Sequence, residues 1–103
     1  MSQPEPVTYD RTVFFVSDGT GITAETLGHS VLTQFEHRRY RKQRLPFIDS
    51  ADKGREAAAR INDAGAKDGK RPIVFSTLED PTISAALREK AEAFFVEMFE
   101  TFV

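Results

Sequence analysis

The sequence predicts an α/β fold in which a three-stranded parallel sheet, ordered 2-1-3, is flanked by helices in the order βαβαβα. Two runs of β-branched and aromatic residues, 12–16 and 72–76, have the composition of strands that are covered on both faces. Each run is followed by apolar residues at helical spacing, and a third strand-helix pair lies between them. Three such repeats with right-handed crossovers form a parallel sheet. We expect this sheet to be part of a larger fold.

The first repeat follows a polar amino terminus. Residues 1–10 include Pro4 and Pro6 and few apolar side chains, so we expect a flexible leader before an amino-terminal α/β domain over residues 11–103. A turn with two glycines follows the first strand, and a helix is predicted from Ile22. Its apolar face consists of Ala24, Leu27, Gly28, Val31, Leu32 and Phe35.

The second repeat begins with a polar strand. Residues 39–48 carry charges at alternating and adjacent positions, and Pro46 interrupts them, so this strand is expected at the sheet edge. That position gives the order 2-1-3. A helix capped by Asp49 or Ser50 is expected to end at Gly65. Its buried stripe is composed of small residues and one isoleucine: Gly54, Ala57, Ala58 and Ile61.

The third repeat ends in a phenylalanine-rich segment. Asp80 and Pro81 have the features of a helix cap and first turn, and the spacing of apolar residues predicts a helix that continues to the end of the chain. Three strands cannot cover all of its apolar residues, and an exposed patch of this kind is typical of an interface. The alternative is that the rings pack inside one small domain. The interface candidates are Phe94, Phe95, Met98, Phe99 and Phe102.

Composition excludes several classes of protein. The chain of 103 residues has the length of one domain, and its net charge of -2 argues against a general nucleic-acid binder. It has no cysteine, which excludes disulfides, thiolate zinc sites and cysteine nucleophiles and indicates a reducing, cytoplasmic setting. No apolar run approaches the roughly 20 residues of a membrane span. We therefore expect a cytoplasmic protein that binds neither nucleic acid nor membrane.

The glycine turn after the first strand is the strongest local signal for binding. Its candidate anion- or substrate-binding residues are Asp18, Gly19, Thr20, Gly21 and Thr23. Glycines let backbone N–H groups point toward the start of a helix, where an anion is favoured, and threonine hydroxyls add hydrogen bonds. The turn matches neither the dinucleotide fingerprint nor the Walker sequence. The Asp18 carboxylate would repel a phosphate unless a cation intervened. Alternatively, the turn only closes the chain and caps the helix.

Other sites have weaker support. Residues 20–23 match half of the phosphate loop of flavodoxins, which leaves a small phosphate- or flavin-binding domain as an alternative, although the sequence has no Trp to stack on a flavin. A phospho-receiver domain is not favoured, because such a domain needs a pair of acidic residues after the first strand and Asp18 stands alone there. His29 and His37 have no partners at metal-ligand spacing, so no metal site is expected. The basic residues of 38–44 are expected to protect an edge strand or, alternatively, to meet phosphate groups or an acidic partner.

Five segments of the chain carry a family resemblance: residues 13–25, 27–29, 32–35, 45–48 and 71–76. They closely resemble the amino-terminal part of the phosphoenolpyruvate synthase regulatory proteins, which group with the pyruvate, phosphate dikinase regulatory proteins. The resemblance covers about residues 11–103. The sequence around Asp18-Gly19 and Leu27-Gly28-His29 is more similar to the synthase-directed branch.

The resemblance implies a bifunctional regulator. It implies an ADP-dependent kinase that phosphorylates a threonine of phosphoenolpyruvate synthase, and a phosphorylase that uses inorganic phosphate to reverse this with release of pyrophosphate. The nucleotide loop of the family lies in the carboxyl-terminal half, beyond this sequence. No catalytic or ADP-binding residue can therefore be assigned here, and this segment alone is expected to be inactive and to bind no cofactor. Its expected partners are the synthase, its own carboxyl-terminal half and a second copy; a non-catalytic docking or dimerisation module is the alternative function.

Overall fold

The central strand β1 (Arg11–Val16) pairs in parallel with a strand on each side. The computed structural model describes residues 8–35 and 38–98. β2 (Tyr40–Leu45) lies on one side of β1 and β3 (Ile73–Ser76) on the other, so that Phe15 is in register with Arg44 and with Phe75. The predicted parallel arrangement 2-1-3 is confirmed for these three strands, and β2 is at the edge as its charges indicated.

A fourth strand corrects the predicted three-stranded sheet. β4 (Phe94–Glu97) pairs in parallel with β3, which gives the order β2-β1-β3-β4. The third helix, α3 (Pro81–Lys90), is therefore much shorter than predicted, and the backbone at Ala91 is extended, with φ -86° and ψ 130°. The prediction failed because the apolar residues from 83 to 98 fit helical spacing, while residues 94–96 are also strong strand formers.

The other two helices are α1 (Ile22–Leu32) and α2 (Ala51–Asp68). Ser50 caps α2 and Asp80 caps α3, as predicted. α2 does not end at Gly65. That glycine lies inside the helix, where a Cβ would approach Pro72 Cδ to 2.9 Å. The helix ends instead at Asp68 and is followed by Gly69, whose φ is 66°. Gly65 is thus required by close packing rather than by a turn.

The helices cover the two faces of the sheet unequally. α2 and α3 pack on one face against a core that includes Phe14, Val74 and Ile61, and the small stripe of α2 is buried as predicted. Of the described helices, α1 is the one that packs on the other face, against Phe15 and Phe75. Only three residues of its predicted apolar face are buried, namely Ala24, Gly28 and Leu32. Its remaining apolar residues, Leu27, Val31 and Phe35, are exposed.

The amino edge of the sheet is held by ion pairs around Asp10. Residues 1–7 of the predicted leader lie outside the described residues. The Asp10 N–H donates to the Arg39 carbonyl at 2.7 Å, and its carboxylate lies within 3.0 Å of cationic groups of Arg11, Arg38 and Lys70. The pKa of Asp10 is lowered to about 2. The hydrogen bond from Lys70 is the main cause, and the hydrogen bond from Arg11 is the next.

Candidate functional site

The glycine turn joins β1 to α1 at the carboxyl edge of the sheet. Gly21 is the residue that precedes α1, with φ 86° and ψ 2°, a left-handed conformation that glycine adopts without strain. Gly19 has no positive φ, and a Cβ there would make only an ordinary contact, 3.8 Å from Ser17 Oγ. The geometry therefore requires glycine at position 21 and not at position 19.

Hydrogen bonds from a second loop hold the glycine turn in place. The Phe47 N–H donates to the Gly19 carbonyl at 2.8 Å, and the Ile48 N–H donates to the Ser17 carbonyl at 2.9 Å. Within the turn, the Gly19 N–H donates to Ser17 Oγ at 3.0 Å. The loop after β2 thus fixes the backbone of the turn, and the Ser17 hydroxyl is engaged by the turn itself.

The amino terminus of α1 differs from those of the other two helices. Its N-cap residue, Gly21, has no side chain to accept a hydrogen bond, whereas Ser50 and Asp80 accept from the first turns of α2 and α3. The Thr20 hydroxyl accepts a long hydrogen bond, 3.5 Å, from the Ile22 N–H. Thr20 and Thr23 are both exposed beside these N–H groups. The arrangement offers backbone donors and two hydroxyls on one open surface, which is a suitable environment for an anion.

A cation from β2 lies beside the turn. The position of a Gly21 Cβ would be 3.4 Å from Arg44 Cδ, and the Arg44 guanidinium pairs with Glu25 of α1 at 3.2 Å. Both side chains of this pair are about half exposed, so the pair adds little to stability. Arg44 is nevertheless a cation of the kind that a phosphate beside Asp18 would need. From the sequence, the basic run that includes Arg44 was expected either to protect the sheet edge or to meet phosphate groups or an acidic partner. The 2-1 strand order places Arg44 here, because it brings the end of β2 next to the glycine turn.

The predicted turn residues therefore share one surface but differ in exposure. Asp18, Thr20 and Thr23 are exposed, Gly19 is half-buried and Gly21 is buried. The neighbouring end of β3 does not offer a free backbone donor at Thr77, which is buried and donates its N–H to the Val16 carbonyl at 3.0 Å. The open side of the turn thus faces α1 and Arg44.

The predicted interface residues are divided between the two faces of β4. Phe94 is half exposed on the α1 side, whereas Phe95 packs against the α2-α3 core and lies under the Arg88 guanidinium, 5.5 Å from it. Met98 packs against the core beneath α1. Phe99 and Phe102 lie outside the described residues. The three described candidates therefore do not form one helical stripe, because the helix that would align them ends at Lys90.

Metal-ligating residues do not cluster in the described part of the chain. No group of three or more His, Asp or Glu side chains suited to a metal ion occurs within residues 8–35 and 38–98. His29 Nδ1 instead lies 3.3 Å from Lys42 Nζ, and His37 is outside the described residues. Among the same residues, the helices are all too short or too polar to cross a bilayer.

A family model described as Kinase/pyrophosphorylase matches residues 13–103 of the chain. The match begins in β1 and includes the glycine turn and each later helix and strand.

Curated relatives match over the same region. One from Aromatoleum aromaticum is 56% identical over 93 residues, which cover 90% of this chain and 33% of the relative. One from Azoarcus sp. is 57% identical with the same coverage, and one from Janthinobacterium sp. is 54% identical over 106 residues, covering all of this chain and 36% of the relative. All three bear the name "Putative phosphoenolpyruvate synthase regulatory protein". The chain spans about a third of their length, the amino-terminal third, and it belongs to the kinase/pyrophosphorylase family.

Proposed function

We propose that this chain is the amino-terminal domain of a bifunctional regulator of phosphoenolpyruvate synthase. The observation that supports this most directly is the family match over residues 13–103, together with relatives at 54–57% identity whose names refer to that enzyme. In the forward reaction the β-phosphoryl group of ADP passes to a threonine hydroxyl of the synthase and AMP is released. In the reverse reaction inorganic phosphate takes the phosphoryl group from phosphothreonine, which forms pyrophosphate and restores the hydroxyl.

Within this function, the glycine turn is the part of the chain best suited to contact a phosphoryl group. Arg44 supplies positive charge, while the first-turn N–H groups of α1 and the Thr23 hydroxyl supply donors. The ligand would be inorganic phosphate or the phosphothreonine of the target. The adenosine part of ADP has no identified site here, and we expect the nucleotide to be held by the portion of the relatives that this chain does not cover.

The test uses the full-length relative from Aromatoleum aromaticum. Thr23→Val and Gly21→Ala, made at the aligned positions, should reduce phosphoryl transfer from radiolabelled ADP to the synthase, while binding of the synthase remains intact. A matched control is Thr82→Val, because Thr82 occupies the second position of α3 as Thr23 does in α1 and is also exposed. Unchanged turnover in the Thr23 and Gly21 variants would exclude a catalytic role for the turn.

A non-catalytic role is the second candidate. Two observations favour it. The Ser17 hydroxyl accepts a hydrogen bond from within the turn, and the loop after β2 donates backbone hydrogen bonds to the turn; both are features of a purely structural loop. In that case the turn variants would retain turnover, and the domain would contribute only docking of the synthase. Calorimetry of this chain with ADP and with flavin mononucleotide tests the remaining alternatives: we expect no binding of either.

A further inference from the structure

The two faces of the sheet are covered to different extents. A helix is about 10 Å wide and strands lie about 4.8 Å apart, so each helix covers roughly two strands. The four-stranded sheet therefore needs two helices on each face. α2 and α3 provide them on one face, but α1 is the single described helix on the other. Parallel sheets of this type are normally covered on both faces, so within the described residues α1 leaves about two of the four strands uncovered on its own face.

The position of α1 identifies the strands that it leaves uncovered. Gly28 faces Phe15 of β1 and Phe75 of β3, since a Cβ at Gly28 would lie 2.5 Å from the first ring and 3.0 Å from the second. α1 thus lies above the inner strands β1 and β3 and does not cover the edge strands β2 and β4. One flank of α1 points toward β2, because Glu25 pairs with Arg44 and His29 contacts Lys42.

The other flank of α1 points toward β4. Residues one position before and one position after a buried helical residue lie about 100° to either side of it. Since 25 and 29 follow the buried residues Ala24 and Gly28, the positions before the buried residues, Leu27 and Val31, lie on the opposite flank. Both side chains are 41% exposed. They form an apolar wall beside β4.

The floor beside that wall is also apolar. Phe94 and Val96 alternate along β4 with Phe95, which packs on the α3 side, and are 50% and 37% exposed. Ile73 of β3 is in register with Phe94, is half-buried and packs against the core cluster that contains Phe75. We call the surface formed by Leu27, Val31, Ile73, Phe94 and Val96 the β4 groove.

We propose that the β4 groove is the docking site of an amphipathic α-helix from the same polypeptide, contributed by the two-thirds of the longer relatives that this chain does not cover. The relatives are about three times as long as the matched region, so they contain residues that can supply this helix. A second copy is a poorer occupant. In the described part of the chain each helix already packs on its own sheet, which leaves a second copy without a spare amphipathic helix.

Charge at one end of the groove favours one orientation of the helix. The guanidinium groups of Arg11 and Arg71 lie 5.7 and 5.1 Å from the centre of the Phe94 ring, at the amino edge of the sheet. A helix that runs antiparallel to the strands, as α1 does, would place its carboxyl terminus beside these cations. The partial negative charge of that terminus is stabilised by such neighbours.

The absence of cysteine from this chain allows a direct test by thiol labelling. Val96→Cys and Val31→Cys place thiols in the floor and wall of the β4 groove, and Ala85→Cys places a control thiol on the exposed surface of α3. The same substitutions are made at the aligned positions of the full-length Aromatoleum aromaticum relative. Labelling at each site is measured by mass spectrometry, and circular dichroism confirms folding; Phe94→Cys replaces Val96→Cys if that variant does not fold.

We expect labelling at 96 and 31 to be at least ~10-fold slower in the full-length protein than in this chain, as for sites that open only by local unfolding, and labelling at 85 to be similar in both. A photo-crosslinker on the thiol at 96 should join a peptide beyond the matched third of the same polypeptide. Equal labelling rates at 96 would overturn the proposal. So would crosslinks between isotopically distinct copies, or slow labelling of this chain that accelerates on dilution, since either result makes a second copy the occupant.

Discussion

The carboxamide of Asn62 on α2 donates a hydrogen bond of 2.8 Å to the main-chain carbonyl of Lys90, the last residue of α3. The oxygen of the same carboxamide accepts the Glu92 N–H at 2.8 Å. One side chain thereby satisfies a carbonyl at the helix end and an N–H of the link to β4. Asn62 thus fixes the point at which α3 gives way to an extended chain.

Asn62→Ala should lower the free energy of unfolding by about 0.5–1.5 kcal/mol, because water can replace part of the two lost hydrogen bonds at this exposed position. It should also accelerate amide exchange at Glu92. Urea denaturation and hydrogen exchange measure the two effects. Asp63→Ala is the control, since its exposed pair with Lys67 contributes little. Unchanged exchange at Glu92 would contradict the assigned role.

Gly28→Ala should destabilise the protein by about 1–3 kcal/mol, as expected for overpacking, despite the higher helix propensity of alanine. The added methyl would meet the rings of Phe15 and Phe75, both fully buried, and α1 would have to move away from the sheet. Thr26→Ala, on the exposed side of α1, should leave stability within about 0.5 kcal/mol of the unmodified protein. Thermal denaturation of the two variants gives the comparison, and equal stabilities would show that α1 is not tightly seated.

Asp10 should make stability depend on pH in the acid range. Its pKa is lowered from 3.8 to about 2, chiefly by the Lys70 hydrogen bond, so its contribution is complete above pH 3.8 and is lost as the pH falls toward 2. The difference in unfolding free energy between the unmodified protein and Asp10→Asn should therefore shrink over that interval. Lys70→Gln should raise the pKa of Asp10 toward 3.8, as measured by an NMR titration of the carboxyl carbon. Parallel stability curves for the unmodified protein and Asp10→Asn would argue against this ion-pair cluster.

Phe47 is the non-glycine residue with positive φ among those described, at 59°, and its ring is 57% exposed. This conformation is unfavourable for a bulky side chain, whereas asparagine tolerates it. Phe47→Asn should therefore be more stable than Phe47→Ala by up to about 1 kcal/mol, since alanine retains the unfavourable conformation. Denaturant titration of both variants gives the measurement. Equal stabilities would mean that the ring contacts, rather than the backbone, determine the energy at this position.

The inner strands were predictable because their signals are local. Residues 12–16 and 72–76 are uninterrupted apolar runs next to turn residues, and both form central strands. β4 was not predictable in the same way, because residues 94–97 continue the helical spacing of α3 and no glycine or proline separates the two elements. The contact that separates them comes from Asn62, about thirty positions earlier, and no local pattern contains that information.

The candidate site shows the same division between local and tertiary information. The glycine turn was identified from its own residues, and Gly21 has the backbone conformation that makes glycine necessary. The position of Arg44 beside Gly21 depends on the register of β2 against β1, which the turn sequence does not encode. The exposure of Leu27 and Val31 was missed for a related reason: helical spacing shows an apolar face, but only the sheet shows how much of that face is covered.

The parallel order β2-β1-β3-β4 has a consequence for how the chain folds. Parallel neighbours cannot be joined by a tight hairpin, so each strand pairing must wait for an intervening helix and its loops to close. β1, one of the two inner strands, meets β3, the other, only after α1, β2 and α2 have been made. High contact order of this kind slows folding, and during synthesis the apolar residues of β1 remain accessible until β3 has emerged. The core therefore forms late, because β1 cannot complete its pairing until residues 73–76 of β3 have been synthesised.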